Sequence, residues 1–446
     1  MAQTAQPTQV VTAQSLAGMS PQQREATLSS LSPEEQESLR TQYEVLRSNA
    51  NRQFMHLAFR KVAPAFAAGG GYTNTFSQGG TMRWDFPTAG GAYAAALIIS
   101  VNVVITLAAG ASATYGINVA GPLAIFQQLV VTLNGTQHQF PPYILKYLSA
   151  LSRSSGSVQP STVYAGTKDT LIETNLNNNG AYATAVGANT WKFKFRVPLN
   201  AIAPTNPAGL LPMMSSATKP QIALTVNSSL LGNDPELNAI RATGGTGNAV
   251  TSATGTVGVD VEYMDGQNFW SPQALALDLS GEPTVQYITD NVMNNIVAGS
   301  VQRVRISSLF QHYAVIAVCM DGVTAGAFTA LTNVAKIELD MDSVGQNVFR
   351  AFGTGTNLDI YDFYEQIRET YQQDFDEGIV PWVLGATRGI NNPDNRDGVQ
   401  LLNMTPGGWT DVNVGVQFTA VGAVYTPRIA LYLVSLNPAG LKLANI

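Results

Sequence analysis

The sequence predicts an all-β protein in which two eight-stranded sandwiches follow a helical N-terminal arm. Charge and helix signals are concentrated in residues 20–61, which hold 11 charged residues. From Thr81 onward, short segments of Val, Ile, Thr, Tyr and Phe alternate with Gly, Pro, Asn-Gly and Asp-Gly, which is the pattern of strands and turns. Each half of the chain holds enough of these segments for one eight-stranded sandwich.

The composition favours a protein that packs against copies of itself. A chain of 446 residues is too long for one ordinary core and fits two β domains of roughly 200 residues each. Charged residues make up only 12% of the chain, against a typical ~25% in soluble domains. Such a surface favours burial in an assembly. A monomer covered by Ser, Thr, Asn, Gln and Gly is the alternative.

Charge and cysteine content exclude several classes of protein. The net charge is −6 and no basic block is longer than Arg60-Lys61, so we expect no direct contact with nucleic acid. Cys319 is the only cysteine, which excludes an internal disulfide framework and a cysteine-based zinc site. Its apolar neighbours indicate a small buried hydrophobic residue.

Neither a secretory signal nor a membrane-spanning helix is expected. Residues 1–20 have no basic start and no continuous apolar core. The most apolar stretch, Ala92 to Ala113, has the length of a membrane span. It contains Ser100 and Asn102, however, and its β-branched residues favour a strand buried in a sandwich.

The predicted arm, residues 1–60, contains two capped helices. Ser20-Pro21 and Ser32-Pro33 each supply an N-cap followed by proline at the first helical position, and Ser32 with Glu35 fits a capping box. The second helix has one apolar stripe, formed by Leu39, Tyr43 and Leu46. That stripe fits either a helix docked on its own domain or an arm that lies against neighbours or lipid.

The first sandwich is assigned to residues 61–265 and the second to residues 266–446. The strands predicted for the first are Ile98–Leu107, Phe126–Leu133, Trp191–Val197, Gln221–Val226 and Val257–Met264. Asn134-Gly135 predicts a hairpin turn after the second of these strands. Pro198, Pro220 and the three prolines between them predict a long loop, and the Gly/Thr/Ala-rich segment Arg241 to Thr256 predicts another.

The second half repeats this pattern and adds one helix. Its predicted strands are Val304–Ile306, Tyr313–Met320, Lys336–Asp340, Val412–Phe418 and Arg428–Leu436. The predicted inserted helix has an apolar stripe formed by Ile360, Tyr364, Ile367 and Tyr371.

The sequence predicts no catalytic, cofactor-binding or metal-binding residues. The three histidines, His56, His138 and His312, lack ligand neighbours at a useful spacing. The glycine clusters lack the Lys-Ser/Thr of a phosphate loop, and the segment Asp394 to Gly398 lacks the glutamate of a calcium loop. Asp340 and Asp342 are best interpreted as a solvated strand end. We therefore expect no enzymatic activity.

The order of elements resembles the double jelly-roll major capsid proteins of tectivirus-type bacteriophages. The first half is similar in its charged N-terminal helix, the strand ending in Val197-Pro198-Leu199, the loop Leu210-Leu211-Pro212 and the return strand Gln221–Val226. The second half is similar in the helix Tyr361–Gln373, Asp374-Phe375, Gly378 before an apolar strand, and Asn395-Arg396-Asp397. The long arm and the segment Arg241 to Thr256 depart from the family pattern.

This resemblance implies two eight-stranded jelly rolls standing side by side. It implies homotrimers that tile an icosahedral shell around an internal lipid membrane, in a virion capsid assembled in the host cytoplasm. The implied partners are neighbouring trimers, vertex (penton) and minor capsid proteins, and the membrane. The cationic side chains expected to contact the membrane or a neighbour through the arm are Arg24, Arg40, Arg47, Arg52, Arg60 and Lys61.

A second hypothesis is a phage receptor-binding or glycan-binding β-sandwich protein. Its sugar platforms would be exposed residues among Trp84, Trp191, Trp270, Trp382 and Trp409. The helical arm argues against this hypothesis.

Overall fold

The structure is a computed structural model. It describes residues 26–39, 42, 60–87, 92–109, 114–133, 136–144, 172–174, 185–198, 211–212, 220–243, 247–265, 284–306, 311–341, 347–352, 362, 377–383, 402–403 and 412–438. Helical backbone occurs at residues 26–29, 33–39, 42 and 362, and short 3-10 helices occur at Gly121–Ile125, Pro142–Ile144 and Leu331–Asn333. The other regular structure is strand.

The described residues between 60 and 265 form fourteen strands. They are β1 (Arg60–Pro64), β2 (Phe66–Ala67), β3 (Thr73–Phe76), β4 (Thr81–Asp85), β5 (Ala92–Leu107), β6 (Thr114–Ile117), β7 (Phe126–Leu133), β8 (Thr136–Phe140), β9 (Ile172–Thr174), β10 (Gly187–Pro198), β11 (Leu211–Pro212), β12 (Gln221–Val226), β13 (Ile240–Thr243) and β14 (Val250–Asp265).

The part of the second half that the structure describes forms nine more strands. They are β15 (Thr284–Asn294), β16 (Gln302–Arg305), β17 (Gln311–Met320), β18 (Val334–Met341), β19 (Asn347–Phe352), β20 (Ile379–Val383), β21 (Leu402–Asn403), β22 (Val412–Phe418) and β23 (Arg428–Pro438).

Both halves have the same strand order. The first half forms one sheet ordered β1-β14-β5-β10-β9 and a second ordered β2-β4-β12-β7-β8, while β6 and β13 form a separate ribbon. The second half forms sheets ordered β15-β23-β17-β20 and β16-β22-β18-β19. The eight principal strands are β1, β4, β5, β7, β8, β10, β12 and β14 in the first half, and β15, β16, β17, β18, β19, β20, β22 and β23 in the second. Numbered along each half, they have the orders 1-8-3-6 and 2-7-4-5 in both halves. This is the two-sheet arrangement of an eight-stranded jelly roll, and we call the two halves the first and second jelly rolls.

Buried and exposed side chains alternate along β10, as the sequence predicts, and the buried ones face the core of the first jelly roll. Along β10, Trp191, Phe193, Phe195 and Val197 are buried while Lys192 and Lys194 are exposed. The neighbouring strand β5 is antiparallel, with Trp191 opposite Val103. Because successive side chains on a strand point to opposite faces, the apolar set of each strand faces the same core.

The stretch Ala92 to Leu107 forms strand β5, which confirms the prediction of a buried strand in this region. This strand lies between β14 and β10 and pairs with both. In the part of the chain that the structure describes, no helix is long and apolar enough to cross a membrane.

The prediction of a loop from Arg241 to Thr256 is largely wrong. Residues 240–243 form β13, and β14 already begins at Val250. Residues 250–256 pair along β5, which supplies their backbone hydrogen bonds despite their weak strand propensity. Gly255 fits because a β-carbon there would collide with the backbone oxygen of Asn102.

Other predictions agree with the described residues. The β7–β8 hairpin forms, with Leu133 opposite Thr136. The capping box is present, because the Ser32 N–H donates to Glu35 Oε2 (3.1 Å) and the Glu35 N–H donates to Ser32 Oγ (3.4 Å). Tyr43 and Leu46 of the arm stripe lie outside the described residues. The apolar stripe of the predicted inserted helix also lies outside the described residues. Of that helix the structure describes Asp362, whose backbone is helical.

Candidate functional site at the joint between the two jelly rolls

The sheet that contains β17 is buried on both faces. Alternating side chains of β17 divide between two cores: Ile316, Val318 and Met320 belong to the apolar cluster of the first jelly roll, whereas Val315, Ala317 and Cys319 belong to that of the second. Strand β23 divides in the same way. A strand buried on both faces is apolar at every position, which explains the unbroken apolar run that ends at Met320. The outer face of this sheet is therefore the joint between the jelly rolls.

A buried charged cluster lies at this joint. Arg428, the first residue of β23, donates from Nη1 to Asp234 Oδ2 (2.5 Å), from Nη2 to Asp234 Oδ1 (2.8 Å) and from Nε to Glu236 Oε2 (3.0 Å). The hydroxyl of Tyr432 donates to Glu236 Oε1. The exposed fractions of Arg428, Asp234 and Glu236 are 7%, 9% and 8%. We call these four residues the Arg428 cluster.

Electrostatics keep the Arg428 guanidinium charged. Burial alone would lower the pKa of Arg428, but the hydrogen bond to Asp234 and the charge of Glu236 outweigh burial and raise that pKa. A planar guanidinium with five donors suits two carboxylates at once. The cluster therefore ties a strand of the second jelly roll to a loop of the first.

The loop that carries Asp234 and Glu236 is held by its own hydrogen bonds. Asp234 Oδ1 accepts from the backbone N–H groups of Glu236 (2.9 Å) and Leu237 (3.2 Å), which forms a tight turn. The buried Asn118 donates from Nδ2 to the Asn238 carbonyl (2.7 Å). These bonds hold the loop that presents the two carboxylates to Arg428.

A second set of contacts lies around Gly326, in the loop that follows β17. The Gly326 N–H donates to the Asn233 carbonyl (2.8 Å), and the Val119 N–H donates to the Gly326 carbonyl (2.9 Å). Arg241 Nη1 donates to the Ala325 carbonyl (2.9 Å). Gly326 has φ +67°, and a β-carbon there would collide with Asn118 Oδ1. The close approach of the two jelly rolls therefore requires glycine at this position.

A cleft of about 470 Å³ opens above the Arg428 cluster. Gln139 of β8 lines one side, Val292 and Asn294 of β15 line the other, and Arg428 and Tyr432 lie at its base. Strands β8 and β15 are each at the edge of their sheet. The cleft thus marks where the edge of one jelly roll meets the edge of the next.

The contacts at the joint suit mechanical coupling of the two jelly rolls. Cys319 is fully buried, and burial together with the charge of Asp321 raises the pKa of its thiol to about 12, so it is not a nucleophile at neutral pH. Among the described residues, no group of three or more His, Cys, Asp or Glu could hold a metal ion. His138 lies on β8, His312 lies on β17 and His56 is outside the described residues.

Asp340 is not the solvated strand end that the sequence predicts. Its side chain is 15% exposed, and its Oδ2 accepts a hydrogen bond from Arg303 Nε at 3.2 Å. The same arginine contacts the fully buried Glu338 at 2.6 Å. Asp342 lies outside the described residues.

Three of the five tryptophans are unsuitable as sugar platforms. Trp84 and Trp191 are 0% exposed and Trp382 is 6% exposed, and all three lie in the cores. Trp270 and Trp409 lie outside the described residues. The feature that would have supported glycan binding is therefore absent at these three positions.

The six cations predicted for the arm fall in two groups. Arg60 and Lys61 start strand β1, opposite Met264 and Tyr263, so they are part of a sheet and not of a helix. The strand forms there because β14 offers an open edge for residues 60–64. Arg24, Arg40, Arg47 and Arg52 lie outside the described residues.

The Arg428 cluster was not predicted from the sequence. Its only local signals are a charged residue at the start of an apolar strand and two acids in the turn-rich segment 232–236. Arg428 and Asp234 are 194 positions apart, so only the folded chain brings them together.

Comparison with solved structures identifies the fold. The chain is similar to the major capsid protein of Sulfolobus turreted icosahedral virus, STIV, with a TM-score of 0.54 and 9% identity over 87% of this chain and 99% of that one. It is also similar to a protein of the PBCV-1 virus capsid, with a TM-score of 0.51 and 12% identity over 85% and 94%. No family model and no curated protein matches the sequence. The resemblance drawn from the sequence is thus confirmed for the fold: the chain is a double jelly roll like those of viral major capsid proteins.

Proposed function

We propose that the chain is a major capsid protein whose homotrimers tile an icosahedral shell. The observation that carries this proposal is the joint: a sheet buried on both faces, the Arg428 cluster and the close contact at Gly326 combine two jelly rolls into one block. A shell tile must keep its shape while its edges bind neighbours. Each subunit supplies two similar lobes at a fixed angle, so three subunits form a ring of six lobes.

The finer parts of the proposal follow the resemblance to tectivirus-type bacteriophage proteins. Residues 61–265 and 266–446 are the two jelly rolls, and residues 1–60 are an arm on the inner side of the shell. The shell surrounds an internal lipid membrane and is assembled in the host cytoplasm. Its other partners are vertex and minor capsid proteins. The role is mechanical and involves no enzymatic activity, cofactor or nucleic acid.

The low charge of the chain supports assembly through neutral contacts. Only 12% of the residues are charged, and burying few ions at each contact avoids a large desolvation cost. A closed ring of identical subunits repeats one head-to-tail contact by rotation.

The mass of the purified full chain in solution tests this proposal. We expect light scattering to give three times the chain mass of 47.4 kDa, and negative-stain images of the same sample to show six lobes. A particle that stays monomeric at every concentration would contradict the capsid proposal.

Deleting residues 1–48 tests the arm. We expect the shortened chain to remain folded and to form trimers, because the deletion ends before β1, but to assemble no closed shells. Flotation with anionic vesicles separates the two arm roles. Loss of vesicle binding would indicate contact with the membrane, whereas retained binding would indicate contact with a neighbour. Normal shells from the shortened chain would contradict any role of the arm in assembly.

A further inference from the structure

Each jelly roll has two different flanks. On one flank the first principal strand ends a sheet: β1 in the first jelly roll and β15 in the second. On the other flank the fifth principal strand ends a sheet: β8 in the first and β19 in the second. The flanks therefore correspond in pairs, because both halves have the same strand order.

Beside the buried sheet face, the joint within the chain also brings together one flank of each kind. Strand β8 of the first jelly roll lies against β15 of the second, and the cleft between them is lined by Gln139 on one side and by Val292 and Asn294 on the other. The contact is therefore head-to-tail: a fifth-strand edge meets a first-strand edge. Among the first-strand and fifth-strand edges, this leaves β1 and β19 without such a counterpart in the part of the chain that the structure describes.

The open flank at β1 is apolar and exposed. Val62 is 56% exposed, Phe66 41% and Tyr72 58%, and Pro64 is also exposed. The rings of Phe66 and Tyr72 lie 5.8 Å apart and form an aromatic pair on the surface. We call Val62, Pro64, Phe66 and Tyr72 the β1 flank. An apolar sheet edge of this kind is a site of association unless something covers it.

We propose that the β1 flank binds the second jelly roll of another copy of this chain, at the edge formed by β19. The internal contact of β8 with β15 then repeats between chains as a contact of β19 with β1. A head-to-tail contact of this kind closes into a ring when its rotation permits. The inference rests on the proposed function and adds the surface by which the subunits recognise one another.

The chemistry of the β1 flank suits an anchor between subunits. Clustered aromatic side chains supply large contact area at low conformational cost and dominate the binding energy of many interfaces. Within the chain, the corresponding first-strand edge presents Val292, which is 39% exposed beside the cleft. Both first-strand edges thus offer apolar side chains to a neighbouring lobe.

Charge reversal of the aromatic pair tests the surface. The full chain carrying Phe66→Glu and Tyr72→Glu is compared with wild type and with Val186→Glu, a control at a 49% exposed valine before β10. Sedimentation equilibrium should show at least a tenfold loss of association for the double variant, equivalent to about 1.4 kcal/mol, and no loss for the control. Circular dichroism melting checks that both variants are folded.

Disulfide trapping identifies the partner edge. Chains carrying Tyr72→Cys are mixed with chains carrying single cysteines at each position of β19, from Asn347 to Phe352. The native Cys319 is buried and does not compete. We expect a disulfide between the two kinds of chain from at least one β19 position, and none when the partner cysteine replaces Val186.

The outcomes separate this inference from the proposed function. A wild-type chain that is monomeric throughout contradicts both. A double variant with the wild-type oligomer mass, or no trapped pair from any β19 position, overturns the inference and leaves the capsid proposal standing. If the double variant loses binding to anionic vesicles but keeps its oligomer mass, the β1 flank is a lipid-binding surface and the inference is wrong.

Discussion

At the scale of single residues, Arg428 is the clearest link between the two halves. Its guanidinium binds two carboxylates of a loop in the other jelly roll, and all three charged groups are at least nine-tenths buried. Buried charges of this kind are stabilising only as a complete set, because the desolvation cost of each ion is offset by its partners. Removal of the cation therefore costs more than the loss of its hydrogen bonds alone.

We expect Arg428→Met to lower the free energy of unfolding by about 3 kcal/mol or more, since it leaves Asp234 and Glu236 without their cation. Chemical denaturation followed by tryptophan fluorescence measures the change. The matched control is Arg83→Met at an exposed position of β4, which should change stability by no more than about 0.5 kcal/mol.

A second substitution checks the cause. Adding Glu236→Gln to Arg428→Met removes one uncompensated charge and should restore part of the lost stability. Equal stability of Arg428→Met and Arg83→Met would show that the Arg428 cluster does not hold the joint.

At the scale of elements, the loop after β17 requires a glycine at position 326. Gly326 has a positive φ, donates to one segment of the first jelly roll and accepts from another. Besides the collision with Asn118, a β-carbon at Gly326 would lie 2.8 Å from Arg241 Cδ. Gly299, in the turn after β15, has a similar φ of +79° with nothing within 4 Å.

Alanine substitutions at Gly326 and Gly299 separate the cost of backbone strain from the cost of steric collision. Gly326→Ala and Gly299→Ala both force alanine into the left-handed region, at roughly 1 kcal/mol. Only Gly326→Ala must also displace Asn118 and Arg241, so we expect it to destabilise the protein by about 2 kcal/mol more. Denaturant midpoints and slopes for both variants provide the test, and equal losses would mean that the loop packs loosely.

The elements also show which parts of the fold can be predicted from sequence. Strand β22 has the predicted bounds, Val412–Phe418, because alternating burial is encoded locally. The loop predicted for residues 250–256 is wrong because their hydrogen bonds come from the distant strand β5, as in the bond from Thr251 Oγ1 to the Thr106 carbonyl across 145 positions. The Arg428 cluster escaped prediction for the same reason: its partners are distant in sequence, and each residue alone resembles an ordinary turn or strand end.

At the scale of the whole molecule, the joint converts two similar sandwiches into one body. Sheet β15-β23-β17-β20 contributes its inner face to one core and its outer face to the other. A loss of structure on one side therefore exposes apolar surface on the other. Large, apolar interfaces between domains couple their unfolding, whereas small polar ones allow the domains to move separately.

We therefore expect the wild-type chain to unfold in a single calorimetric transition, with the van't Hoff enthalpy close to the calorimetric enthalpy. Weakening the joint through Arg428→Met or Gly326→Ala should split this transition in two, while Arg83→Met should leave it single. Scans at several protein concentrations are needed, because dissociation of an oligomer shifts the melting temperature with concentration. The number of transitions still shows whether the joint couples the unfolding of the two jelly rolls. Two transitions in the wild type would mean that the jelly rolls are independent, and the rigid block on which the capsid proposal depends would be lost.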